Sequence, residues 1–313
     1  MGDVGHSDLH GGRKKGLNDR RQSMGGTLPA ISIIIPTLCE TRRRDSLGRA
    51  IASLASQEGV TTEIIVVVNG DRYDPALLSE LERRSDVHLH RRADLGLPGA
   101  LRVGRSLVET PFFSFLDDDD EYLPGALRSR VAPMLEDDAV DFVVGNGLRG
   151  PDGSTPSGRQ SVEDPLRELL DNNWLTSCGG LFRTSSIGVG YFDDVPAFAE
   201  WTYLAYKLFL SRKAAFVDHL GHRIHDTESS LSKSANYIFG QVAALESILK
   251  LKLPPDMRRA LRERYGAALH VEASCRSEMA ERRSAWKAHL KSLLQPKGMR
   301  YVLYTRKLLA NHR

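Results

Sequence analysis

Cysteine is scarce: Cys39, Cys178 and Cys275 are odd in number and lie far apart in the 313 residues. They supply neither a disulfide framework nor the closely spaced pairs of a zinc site, and they fit a reducing, cytoplasmic setting. Long apolar runs are lacking too. No stretch approaches the roughly 20 residues that a membrane-spanning helix needs. The opening MGDVGHSDLHGGRKKGLNDRRQSMGG has no hydrophobic core of a secretory signal, so residues 1–28 are expected to form a disordered tail. A bias of charge is also missing, since 43 Lys and Arg against 40 Asp and Glu leave only +3. With no interleaving of aromatic and basic residues, a nucleic-acid partner is not expected.

What the sequence does have is a repeated pattern. ISIIIP (31–36), EIIVVVNGD (63–71), VHLHR (87–91) and FFSFL (112–116) are short, mostly apolar and β-branched or aromatic runs, as expected of strands covered on both faces. Helical patterns separate them, at residues 47–54, 75–84 and 100–108. The alternation predicts an α/β fold with a largely parallel sheet. DFVVGNG (141–147) continues it, and WLTSCGGLFRT (174–184) reads as a further apolar, strand-like run. Residues 149–160 read as a loop, EWTYLAYKLFLS (200–211) as a helix, AAFVDHLGHRIHD (214–226) as late strands, and the chain from about Ala235 onward as helical.

The fourth strand ends in Asp117, Asp118, Asp119, Asp120 and Glu121. In parallel α/β sheets ligands bind outside the carboxyl ends of the strands. Carboxylates gathered there form a hard-oxygen site suited to Mg²⁺ or Mn²⁺, whose remaining coordination phosphate oxygens complete. The alternative is an acidic turn that caps the next helix with Asp120 or Glu121. His219, His222 and His225 share the late strand segment, but Gly221 interrupts it and no cysteine is near, so zinc is not expected. GLPGALRVGR lacks the spacing of a dinucleotide fingerprint.

The order ISIIIPT, EIIVVVNGD, FLDDDDEYLPGAL, NWLTSCGGLFRTSSIGVGYFDD, AEWTYLAYKL and RIHDTESSLSKS resembles the family 2 glycosyltransferases over about residues 30–232. The resemblance implies a GT-A fold: a mixed, mainly parallel sheet flanked by helices, here with a helical appendage. It divides residues 29–232 into a nucleotide-binding half (29–125) and an acceptor half (126–232), and leaves 233–313 as a helical extension. It also implies a metal-dependent, inverting transfer of a sugar from a nucleotide-diphosphate donor to a hydroxyl acceptor, such as a glycan or lipid-linked glycan.

Carried over by position, Pro36, Thr37 and Glu40 line the nucleotide pocket. Val68 or Asn69 holds the place where the family reads the base, with Asp71 two or three residues later, and Arg102 lies one residue from the family's arginine. Asp117 and Asp119 take the outer positions of the DxD motif, with Asp118 between them. His225 approaches the metal or diphosphate from the acceptor side. Glu200 falls at the catalytic carboxylate, with Asp193 and Asp194 as rivals, although YFDD also reads as a turn and helix cap. Two other functions stay open. A sugar nucleotidyltransferase would need a glycine-rich loop after the first strand, where PTLCETRRRD has none. A non-catalytic binding protein would keep the fold without turnover. Finally, KGMRYVLYTRKLLANHR (297–313) reads as a basic amphipathic helix that either packs on the domain or lies on the inner face of a membrane.

Overall fold

The computed structural model describes residues 27–93, 96–150, 155–157, 164–225 and 236–310. Residues 1–26 of the expected N-terminal tail, the serine-rich stretch after His225 and the expected boundary at residues 232 and 233 lie outside the described residues.

The first half alternates β1 (Ala30–Thr37), α1 (Arg44–Ala55), β2 (Thr61–Asn69), α2 (Pro75–Glu82), β3 (Val87–Arg92), α3 (Gly96–Ser106) and β4 (Phe112–Phe115). The order β3-β2-β1-β4 is parallel throughout, with Ile33 opposite both Ile64 and Ser114. The second half runs β5 (Glu121–Tyr122), α4 (Ala126–Glu136), β6 (Phe142–Arg149), β7 (Thr155–Ser157), α5 (Pro165–Glu168), β8 (Gly180–Arg183), α6 (Glu200–Phe209) and β9 (Ala214–Ile224). Here the sheet becomes mixed. β8 inserts antiparallel between β4 and β6, β9 runs parallel to β6, and β5 closes that edge antiparallel to β9. The helices α7 (Asn236–Leu249), α8 (Pro255–Glu278), α9 (Arg282–Leu293) and α10 (Tyr304–Ala310) follow.

β1 shows why these runs form central strands. Side chains alternate across a strand, and Ile31, Ile33 and Ile35 pack with Leu47, Ile51 and Leu54 of α1 on one face. Ile34 packs on the other face with Leu101 of α3 and Phe113. Both faces are apolar because both are covered. Local signals set the helix starts: the Asp74 side chain accepts from the backbone N–H groups of Ala76 and Leu77, and Pro75 opens α2.

Several expectations are corrected. The late strands are one strand, β9. The apolar run at 174–184 contains a 3-10 turn at Ser177–Gly179 before β8 begins. Asp120 and Glu121 do not cap α4, whose N-cap is Gly125 in the left-handed region with φ of 76°. Asp193 follows a 3-10 turn at Val189–Phe192 and pairs with Arg102, while the N-cap of α6 is Ala199. The C-terminal basic segment is not one helix, because a 3-10 turn at Gly298–Tyr301 precedes the short α10.

Candidate active site

The carboxyl ends of β1, β2 and β4 lie side by side, so Thr37, Asn69 and Asp117 stand at one edge of the sheet. One carboxylate oxygen from each of Asp117, Asp119 and Asp120 lies within 4.8 Å of the others. Each aspartate is held differently. Ser177 Oγ donates to Asp117 at 2.7 Å, and Thr37 Oγ1 donates to Asp118 at 2.6 Å. Arg43 donates to Asp119 at 2.6 Å and lies 3.4 Å from Asp118. Asp120 accepts from the His225 backbone N–H at 3.0 Å and from the Cys178 thiol at 3.6 Å.

The crowding is electrostatically costly. Burial, with repulsion from Asp119 added, raises the Asp117 pKa to about 7. Burial raises Asp118 to about 6, against the pull of Arg43. Asp120 is pushed well above the ordinary carboxylate range by burial and then by Asp117 and Asp119. Clustered, desolvated carboxylates favour the neutral form unless positive charge joins them. Burial works against the charge on Arg43, but Asp118 and Asp119 outweigh it and raise its pKa.

Glu200 opens α6 and is buried, with Oε1 accepting from the Phe198 N–H at 3.1 Å. Burial raises its pKa, and its charge contributes to the rise at Asp117. The next residue, Trp201, packs edge-on against Phe115 at the end of β4, 5.1 Å between centroids. The start of α6 therefore borders the acidic cluster.

The structure brings Thr37, Asp117, Asp118 and Asp119 together, with Glu200 close enough to Asp117 for its charge to be felt there. Pro36 is buried in β1, and Glu40 follows it with ion pairs to Arg42 and Arg72. Asn69 ends β2, and Asp71 is exposed just beyond. Arg102 is not brought to the aspartates; it forms an exposed pair with Asp193 at 2.6 Å. The His225 ring turns to Glu121, 3.3 Å away, and Asp120 is the third member of the carboxylate group. His219 contacts the Pro124 carbonyl and His222 is fully buried, so the three histidines do not converge.

Sequence reasoning missed Arg43, Ser177 and Cys178, whose partners are 58 to 76 residues away in the chain. It also missed Arg130, which is fully buried behind the cluster. Arg130 donates to the Cys178 carbonyl at 2.6 Å, lies 3.1 Å from His222 Nδ1 and sits over the Tyr122 ring. Burial and Arg130 depress the His222 pKa, so the neutral ring accepts that bond. The pair fixes the turn that presents Ser177 and Cys178 to the aspartates. The available signal was GNG in β6: a Cβ on Gly145 would meet Arg130 Nε at 2.7 Å, and one on Gly147 would meet His222 Nε2 at 2.3 Å.

Known proteins share this fold. A solved structure of S. aureus TarS 1-349 in complex with UDP-GlcNAc is similar with a TM-score of 0.56 at 16% identity, covering 84% of this chain and 80% of that one. The longer S. aureus TarS structure gives 0.58 at 14% identity, over 90% and 54%. At such identity the likeness is one of fold, the GT-A fold. The GalNAc(5)-diNAcBac-PP-undecaprenol beta-1,3-glucosyltransferase of Campylobacter jejuni subsp. jejuni serotype O:2 is 31% identical over 131 residues, 41% of this chain and 41% of that protein's length. The profile of glycosyl transferase family 2 matches residues 32–191, from β1 through the aspartates to the turn before α6. Spanning half of the sequence and the whole aspartate cluster, that match shows that the chain belongs to glycosyl transferase family 2.

Proposed function

We propose that the protein transfers a sugar from a nucleotide-diphosphate donor to a hydroxyl acceptor, with inversion at the anomeric carbon. The observation that supports the reading is the carboxylate cluster that converges at the carboxyl end of β4, with the charge of Glu200 felt at Asp117. The donor set fits a divalent cation: three carboxylates of hard oxygen converge, and positive charge would relieve the repulsion that lifts Asp117 and Asp120. Asp117, Asp119 and Asp120 would hold Mg²⁺ or Mn²⁺, which when bound supplies Lewis-acid neutralisation of the departing diphosphate.

The chain's own residues do the rest. Ser177 and Thr37 fix the rotamers of Asp117 and Asp118. Arg43 holds positive charge beside Asp119, where a diphosphate leaving group gains negative charge. Glu200 keeps Oε1 on the Phe198 N–H, which leaves Oε2 to take the acceptor proton. The acceptor oxygen then forms its bond to the anomeric carbon as the bond to the diphosphate oxygen breaks, and the diphosphate leaves with that electron pair. The Campylobacter relative is named for a polyprenyl-diphosphate-linked glycan, which supports a lipid-linked glycan as acceptor.

Titration calorimetry of UDP, GDP and dTDP, with and without Mn²⁺, tests the donor side. Wild-type protein is expected to bind one nucleotide in a metal-dependent way. Asp119→Ala should lose that dependence and stay folded, because the residue lies at a strand end outside the apolar layers. Unchanged affinity and unchanged Mn²⁺ dependence in the variant would overturn the assignment.

A further inference from the structure

The charge of this chain is unevenly placed. Residues 282–313 contain nine Lys and Arg and no Asp or Glu, while the whole chain carries only +3, so the remainder is net negative. The same segment is unusually greasy on its outside. Of the eleven exposed large hydrophobic side chains among the described residues, six fall between 290 and 309: Leu290, Leu294, Met299, Val302, Leu303 and Leu309. Leu294 is 78% exposed, Leu303 68% and Met299 65%. Isolated exposed leucines need no explanation, but six large apolar side chains exposed within about twenty residues of chain do.

The arrangement is amphipathic in an unusual sense. On α9 and its C-cap Leu294, Arg283, Lys287, Leu290 and Leu294 recur at intervals of four and three, so one exposed face carries two cations and then two leucines. The opposite side of the helix is spent on packing, with Ala285, Ala288 and His289 buried. Beyond the Gly298–Tyr301 turn, Leu308 packs inward while Arg306, Lys307 and Leu309 stay outside. Some cations are already matched, Lys291 to Glu246 at 3.2 Å and Lys297 to Glu263 at 2.7 Å. Arg300 and Lys307 instead lie over the rings of Tyr301 and Tyr304. Such a layer of leucine, tyrosine and cation suits the boundary between headgroups and acyl chains.

We propose that the outer face of α9, the 298–301 turn and α10 docks this protein on an anionic lipid surface. Leu294, Met299 and Leu303 enter the headgroup boundary, and Arg283, Lys287, Arg300, Arg306 and Lys307 meet lipid phosphates. The charge selects the occupant, because a segment with no carboxylate of its own, and with cations left over after Glu246 and Glu263 are paired, is matched by a negative partner. Among the described residues no helix is long and apolar enough to cross a membrane, so the contact is peripheral. This inference does not depend on the glycosyltransferase reading.

Co-sedimentation of the full chain with vesicles tests it, comparing pure phosphatidylcholine with phosphatidylcholine containing phosphatidylglycerol. Binding is expected to the anionic vesicles alone and to fall steeply at about 0.5 M salt, where screening acts within a few ångströms. Arg300→Gln with Arg306→Gln and Lys307→Gln should weaken it by about tenfold or more. Leu294→Gln with Leu303→Gln should weaken it severalfold; both side chains are exposed, so unfolding is not expected, and an unchanged melting curve checks that. No binding to either vesicle, or equal binding to both, overturns the proposal. So does sedimentation equilibrium showing a dimer that the leucine variant dissociates, since a second copy would then cover this face.

Discussion

At the scale of single residues the site rests on pairs that differ in how far apart they are in the chain. Asp117, Asp119 and Glu200 were legible in the sequence because the signal is local: carboxylates directly after a buried run, and an acid directly before an apolar helix. Arg43 and Ser177 were not, since neither residue looks unusual until the fold brings it to an aspartate 76 or 60 positions away. Glu200 gives the sharpest test. Its carboxylate is raised by burial, so folding disfavours the charged form, and this group opposes stability as pH rises through its folded pKa. Glu200→Gln should therefore hold or raise the melting temperature at neutral pH. Turnover should nevertheless fall by about 100-fold or more, with donor affinity unchanged, because the amide cannot take a proton. In the wild type, activity should be lost as pH falls through a pKa above 4.5, and that acid limb should vanish in the variant. A Gln variant with near-normal turnover would move the role to Asp193 or Asp194.

At the scale of elements, the parallel strands announced themselves: β1, β3 and β4 were legible to within a residue at each end and β2 to within two. Their neighbours were less so. β5 is two residues long, and no period exists in two residues. The insertion of β8 between β4 and β6 is a choice of partner, which local pattern does not encode. Glycines show the same divide. In α3, a Cβ on Gly104 would meet Ile34 Cγ2 at 2.2 Å, so the helix lies against β1 with no room for a methyl group. In α1, a Cβ on the exposed Gly48 meets nothing within 4 Å. The same substitution should thus change sign between two helices. Gly104→Ala should destabilise by about 1–3 kcal/mol through overpacking, whereas Gly48→Ala should stabilise by about 0.5–1 kcal/mol through helix propensity. Urea unfolding of both variants checks this, and a neutral Gly104→Ala would mean that α3 can shift on the sheet.

At the scale of the molecule, the helical extension that the sequence separates from the catalytic half is only partly separate. Ile248 of α7, Leu253, and Met257 and Leu261 of α8 are buried in the same apolar layer as Phe113, Trp174 and Leu204. Full burial of one such side chain contributes about 1.5–3 kcal/mol, so the four together approach a typical whole-domain stability of about 5–15 kcal/mol. The helices α9 and α10 are another matter. Their buried apolar side chains are Ala285, Ala288 and Leu308, most of them small, and Ala288 packs with Val242 of α7 and Leu269 of α8 rather than with the sheet. Two truncations should then behave differently. A chain ending at residue 281 should fold with a lowered melting temperature and keep metal-dependent nucleotide binding. A chain ending at residue 235 should fail to give soluble, cooperatively melting protein, because the layer over Trp174 would be open to water. Should the shorter chain instead melt cooperatively and bind nucleotide, the sheet must seal that layer without α7 and α8, and the extension would be the separate unit that composition alone suggested.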